Sequence, residues 1–228
     1  MAFDYKKEYK EFYLPKAKPQ IVEIPKMQFV AVRGKGNPNE EGGEYKSALE
    51  LLYAISYTIK MSKMGDHRIE GYFDYVVPPL EGFWWQDKNG LRMPGIDYSS
   101  KDEFQWISLI RLPDFVTEAD FEWAKKSVVH KKGLDVSRAE LFSFEEGECV
   151  QIMHIGSYDD EPASVKLMDD FAKANGYDLD FSENRYHHEI YLSDPRKTAP
   201  EKCKTVIRHP IKKAGKNELL CRFSIYLC

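Results

Sequence analysis

The sequence has little that would tie it to a membrane, a nucleic acid or an oxidising compartment. No run approaches the roughly 18 apolar residues a spanning helix needs, and residues 1–10 are charged where a secretory leader would be apolar. Positive charge is not in excess. Lys and Arg number 33 against 37 Asp and Glu, a formal charge of −4, so neutralisation of a phosphate backbone is not an expected role. The basic stretch 202–216 is broken up by apolar residues and reads as a solvated face. The four cysteines, Cys149, Cys203, Cys221 and Cys228, form no Cys-x-x-Cys pair. That excludes a zinc ribbon or a disulfide framework and points to a reduced, cytoplasmic setting. Nucleophile elbows, P-loops and HExxH helices are absent. Gly34-Lys35-Gly36 has Asn39 where a dinucleotide loop needs its third glycine, so it reads as a turn.

What is present in excess is aromatic surface. Aromatics make up 14% of the chain, with 14 Tyr and 4 Trp. Tyrosines in that number need half-polar surroundings, such as the wall of a pocket. Periodicity predicts an α+β chain. Tyr45, Ala48, Leu49, Leu52, Ile55 and Ile59 share one face of a helix over 44–61. Thr117 caps a second helix to 132, and Asp159 or Asp160 with Pro162 opens a third that ends at Asn175-Gly176. Strands are expected over 27–33, 71–77, 104–112, 138–144, 149–155, 186–192 and 203–209, each bounded by turn residues or proline. Residues 81–85 read as a short strand or a bulged continuation, 3–13 as an arm packed across the domain, and 219–227 as one more strand or packed segment.

The order strand, helix, strand, strand occurs twice. Phe29-Val30-Ala31-Val32 aligns with Cys149-Val150-Gln151-Ile152, Asp74-Tyr75-Val76-Val77 with Glu189-Ile190-Tyr191-Leu192, and Ile110-Arg111-Leu112-Pro113 with Ile207-Arg208-His209-Pro210. The expected organisation is one domain over 1–228. Module one spans about 19–116 and module two about 134–211, with an arm at 1–18 and an extension at 212–228. Two such units pair into one antiparallel sheet with helices on one face and a cleft on the other.

Candidate chemistry centres on Tyr186-His187-His188-Glu189-Ile190-Tyr191-Leu192. Alternation puts His187, Glu189 and Tyr191 on one strand face and His188, Ile190 and Leu192 on the other. The apolar set is expected to meet the helices, and Glu189 to face the cleft. A carboxylate there is costly without a partner or a task, and burial would raise its pKa toward that of a general acid or base. The strand pattern alone equally allows a solvated face. Metal binding by His187-His188-Glu189 fails because adjacent strand residues diverge; no metal or other cofactor is expected. Trp84, Trp85, Tyr75, Trp106, Tyr53 and Tyr158 belong to the aromatic store, and flat walls beside a carboxylate suit a planar or cationic ligand.

Several segments carry a family resemblance. They are Asp4-Tyr5-Lys6-Lys7-Glu8-Tyr9, Ile59-Lys60-Met61-Ser62, Pro78-Pro79-Leu80-Glu81-Gly82-Phe83-Trp84-Trp85 and His187-His188-Glu189-Ile190-Tyr191-Leu192-Ser193-Asp194-Pro195, the last running on to Ile207-Arg208-His209-Pro210. On these the chain resembles the GyrI-like small-molecule-binding proteins, in the stand-alone branch without a DNA-binding domain. The resemblance implies two tandem SHS2 (β-α-β-β) modules about a pseudo-twofold, with a cleft that takes a hydrophobic aromatic small molecule in a monomer or homodimer. It also implies hydrolysis of the cyclopropane ring of DNA-alkylating cyclopropanoids of the yatakemycin type. Glu189 would then activate or orient the water, Tyr75, Tyr158 or Tyr191 would stabilise the developing phenolate, and Trp84 or Trp85 would hold the flat substrate. The alternative is binding without turnover.

Overall fold

A computed structural model describes residues 2–93 and 95–215; the expected apolar segment 219–227 lies outside the described residues. In chain order the elements are α1 (Tyr5–Glu8), α2 (Lys10–Tyr13), β1 (Gln20–Lys35), α3 (Glu44–Lys60), β2 (Leu80–Trp85), β3 (Asp87–Lys88), β4 (Leu91–Arg92) and β5 (Gln105–Arg111). They continue with α4 (Glu118–Lys132), β6 (Ala139–Ile155), α5 (Glu161–Ala174), β7 (Tyr177–Leu179), β8 (His187–Tyr191) and β9 (Lys204–Lys213).

The class is α+β, built on a seven-stranded antiparallel sheet in the order β6-β1-β5-β2-β8-β9-β7. β6 also pairs with β9, so six of the strands close into a ring. The 17-residue β6 makes this closure possible. Its first part, to Gln151, pairs with β1, and Cys149–Ile155 pairs with β9. Separate strands were expected over 138–144 and 149–155; instead Gly147 takes a positive φ of 70° and carries the chain through as one strand. Strand, helix, strand, strand does recur, as β1-α3-β2-β5 and β6-α5-β8-β9. The halves meet at two seams, β1 on β6 and β2 on β8.

The outward face of the ring carries the helices. α3 and α4 pack Leu52, Ile55, Phe121 and Ala124 over Val30, Val32 and Ile110. α5 packs Met168 and Ala172 over Val150, Ile152 and Ile207. A reciprocal capping box between Thr117 and Asp120 starts α4, and Gly133 ends it with a φ of 67°. The ring interior is filled by Phe29, Ala31, Phe83, Ile107 and Leu109. The arm closes one end of it: Tyr5 and Tyr13 cluster with Tyr75, Ile190 and Val206.

Two expectations are corrected here. The segment 71–77 is not a strand. Among its residues Tyr75 makes one isolated bridge to Phe3, and the second strand of the first half is β2, after Pro78-Pro79. Asp74 is therefore not the counterpart of Glu189; it sits on the surface with Lys60 and Lys63. The residue opposite Glu189 is Gly82. Nor does the cleft lie on the face without helices. Ile190 points into the ring toward the arm, while Glu189 points outward, into the gap between α3 and α5.

Candidate active site

Over the seam of β2 and β8, α3 and the start of α5 stand apart. A cavity of about 850 Å³ opens there. Its floor is Trp84, Glu189 and Tyr191, one wall is α3 with Tyr45, Leu49, Tyr53 and Tyr57, and the other is Tyr158 and Glu161 at the start of α5. Tyr98 and Phe104 lie over one end, and Asp194 and Arg196 form part of the rim. Gly82 leaves the space that the floor needs. A Cβ at this position would stand 2.5 Å from Trp84 Nε1 and 3.3 Å from the Tyr191 hydroxyl.

Glu189 is 8% exposed. Its Oε1 accepts a hydrogen bond from His187 Nε2 at 2.8 Å. His187, two residues along the same strand, shares its face. Behind it His187 Nδ1 meets His209 Nε2 at 2.7 Å, and His209 Nδ1 meets Asp169 Oδ1 of α5 at 2.6 Å. Four residues from β8, β9 and α5 thus form a continuous hydrogen-bonded file leading away from the cavity.

Glu161 completes the site. As the first residue of α5 it is 1% exposed, and its carboxyl lies against that of Glu189. Its Oε1 is buried and receives no donor. Burial, then the adjacent Glu189 charge, pushes the Glu161 carboxyl well above its ordinary range. Burial and the like charge together favour a proton on Glu161.

Tyrosines surround the pair. Tyr191 accepts from Trp84 Nε1 at 2.9 Å, and its own hydroxyl proton faces Glu189. Burial first and the Glu189 charge second raise Tyr158, Tyr98 and Tyr191, so all three stay protonated donors at neutral pH. The Tyr98 hydroxyl is buried with no partner. Tyr45 is likewise raised, chiefly by burial, and its ring packs 5.4 Å from Trp84.

Among the residues singled out from sequence, Glu189, Trp84, Tyr158, Tyr191 and Tyr53 line this cavity. Three others lie elsewhere, and each misplacement has a physical reason. Trp85 alternates to the opposite face of β2, where it packs on Tyr186 at 5.0 Å under the Arg92 guanidinium. Tyr75 is buried beneath the arm, with Tyr5 and Phe115. Trp106 is fully buried below Tyr45, its indole lying over the bare Gly34 backbone. The sequence reading missed Glu161, His209, Asp169, Tyr45 and Tyr98. Glu161 was hidden among capping acids, and Tyr45 inside an apolar stripe whose periodicity says nothing of its hydroxyl.

Residues 17–212 match the GyrI-like small molecule binding domain. The chain belongs to the GyrI-like family. A crystal structure of an uncharacterised conserved protein from Listeria innocua is 51% identical to this GyrI-like chain, covering 92% of it and 100% of the Listeria chain, with a TM-score of 0.86. A crystal structure described as a hydrolase from the same organism is 50% identical over 92% of this chain and all of its own, with a TM-score of 0.82. The EcmrR C-terminal domain, at 14% identity and a TM-score of 0.50 over 86% of this chain and 98% of its own, shares the fold. No curated protein matches. Small-molecule binding is what the family's description gives. Among the described residues, no helix is long and apolar enough to cross a membrane.

Proposed function

We propose that this GyrI-like domain binds bulky, flat aromatic compounds in the cavity and hydrolyses the cyclopropane ring of DNA-alkylating cyclopropanoids. The observation that carries the reading is the Glu189–Glu161 pair where the floor of the aromatic cavity meets its wall, one carboxyl raised and the other hydrogen-bonded by His187. Two acids in contact with unlike surroundings supply a base and an acid together. The relatives described as hydrolases at about half identity support a hydrolytic activity of some kind.

The chemistry asks for two proton movements. Water attacks a cyclopropane carbon, forming a C–O bond, and its proton passes to Glu189. The strained C–C bond breaks, and its electron pair runs through the conjugated ring to the carbonyl oxygen. That oxygen takes a proton from Glu161, aided by Tyr98 or Tyr158, and becomes a phenol. The proton on Glu189 then crosses to Glu161, with which it is in contact, and both groups are restored. Trp84, Tyr53 and Tyr158 hold the flat substrate.

Sequestration without turnover is the second reading, and a single observation favours it: a carboxylate among ring faces also suits a cationic aromatic ligand with no chemistry at all. Incubating the protein with excess cyclopropanoid and following products by chromatography separates the two. The hydrolase reading expects ring-opened hydrate in many-fold excess over protein. Disappearance of no more than one equivalent contradicts it.

A further inference from the structure

The file Glu189–His187–His209–Asp169 has more contacts than two neutral histidines can supply. It contains three short hydrogen bonds, of 2.8, 2.7 and 2.6 Å. Each needs one proton, and a carboxylate only accepts. Two neutral imidazoles bring two N–H groups. The raised member of the carboxyl pair is Glu161, and with the proton there both carboxylates of the file are ionised, so the third comes from an extra proton on the histidine pair; a proton on Glu189 instead would let that acid donate to His187 Nε2 and leave both rings neutral. The order of atoms dictates its use. Asp169 accepts from His209 Nδ1–H, which directs His209 Nε2 toward His187 Nδ1. His187 Nε2–H is then left pointing at Glu189. Both rings are buried, at 1% and 2% exposure, so water does not substitute for any of these partners.

We propose that Asp169 and His209 are positioning residues, which lock His187 as a cationic N–H donor to Glu189 and so make Glu189 the ionised member of the carboxyl pair and Glu161 its proton carrier. This rests on the reading of that pair as the reactive centre. The surroundings agree. Facing Glu189 are Glu161 from α5, Tyr158 before it, Tyr45 from α3, Tyr98 from the loop above, and Tyr191 and His187 from β8 itself. His187 is the cation-forming group among them in direct contact with Glu189. Facing His209 are Asp169, His187 and the edge of Phe181. Burial holds His209 below the ordinary imidazole range, and His187 is the ring in contact with Glu189. An isolated structural ion pair would have no need of the second ring.

Nitrogen-15 NMR of the imidazoles in the unliganded wild-type protein at neutral pH tests this directly. Three N–H groups over His187 and His209, with His209 protonated at Nδ1, are expected. Two neutral rings, or a bare His209 Nδ1, would overturn the proposal, and this readout needs no variant to fold. Asp169→Asn retains an acceptor oxygen and removes the charge. It is expected to reduce the count to two and to shift the acid limb of the hydrolysis profile by about one pH unit, tenfold in proton concentration, with kcat falling and KM unchanged. A variant that keeps three N–H groups and an unmoved limb contradicts it. Absence of hydrolysis in the wild type with three N–H groups intact would instead count against the hydrolase reading alone.

Discussion

Glu189 and Glu161 differ in company more than in chemistry. Glu189 has a donor behind it, whereas Glu161 is governed first by burial and then by a like charge, so the proposed reaction gives the same carboxyl group two roles. Glu189→Gln is expected to keep ligand binding and lower hydrolysis about 100- to 10,000-fold, as loss of a general base does; product assays beside a binding titration check both. On the other face of β8, His188 sits between Glu146 at 3.0 Å and Glu81 at 3.0 Å, with Arg208 on Glu146 at 3.3 Å. Burial works against both charges here, and the partners win. Glu146 is lowered from 4.5 to about 2 and His188 is raised from 6.5. Glu146 therefore stabilises the fold above about pH 4.5 and loses that contribution as pH falls toward 2. His188 contributes fully below about pH 6.5 and loses its share as pH rises through its folded value. Urea unfolding midpoints against pH are expected to peak between these limits. A midpoint that keeps rising above neutrality contradicts this assignment. Alternation along 186–192 made this division of labour legible: His187 and Glu189 on one side, His188 on the other. Which side met the helices was not legible, because both faces of β8 are buried and the pattern carries no label for helix or arm.

Helices were the most readable elements. The three long ones start and stop within a residue or two of their predicted bounds, because capping at Thr117, Pro162 and Gly133 is local chemistry. Strands were harder where the decisive partner is distant. Pro210 reads as a stop, yet β9 runs on through it to Lys213. The ladder with β8 ends at Arg208 and the ladder with β7 begins at Ile211, so the missing N–H falls between two ladders. Two close approaches tie sequence to element packing. A Cβ on Gly34 would lie 2.3 Å from the Trp106 indole, so Gly34→Ala is expected to cost about 1–3 kcal/mol by overpacking, measurable as a lowered urea midpoint. Gly82→Ala presses instead on Trp84 and Tyr191 at the cavity floor. It is expected to weaken binding of a flat aromatic probe, followed by quenching of tryptophan fluorescence, with less effect on stability than Gly34→Ala.

The closed ring separates its interior from the cavity outside. The interior holds one apolar cluster and the Glu146–His188–Glu81 network, capped by the arm through Tyr13 to Glu81 at 3.3 Å, Gln151 to the Glu11 carbonyl at 2.6 Å and Arg208 to the Phe12 carbonyl. The exterior seam of β2 and β8 is left for the cavity. Of the three strand pairs aligned in the sequence, Asp74–Val77 with Glu189–Leu192 does not hold, since 71–77 is not a strand; the ring was not legible either, since closure depends on β6 serving two partners along one length. The cavity joins unlike contributions, Trp84 with the α3 tyrosines from the first half and Glu189, Tyr191 and Glu161 from the second. The central claim is that these groups add water to a strained ring. Hydrolysis of a cyclopropanoid in oxygen-18 water, read by mass spectrometry, tests it most directly. The account predicts ring-opened product in many-fold excess over protein, carrying one oxygen-18, and its loss in Glu189→Gln. Unlabelled product, or consumption that stops at one equivalent, would contradict it.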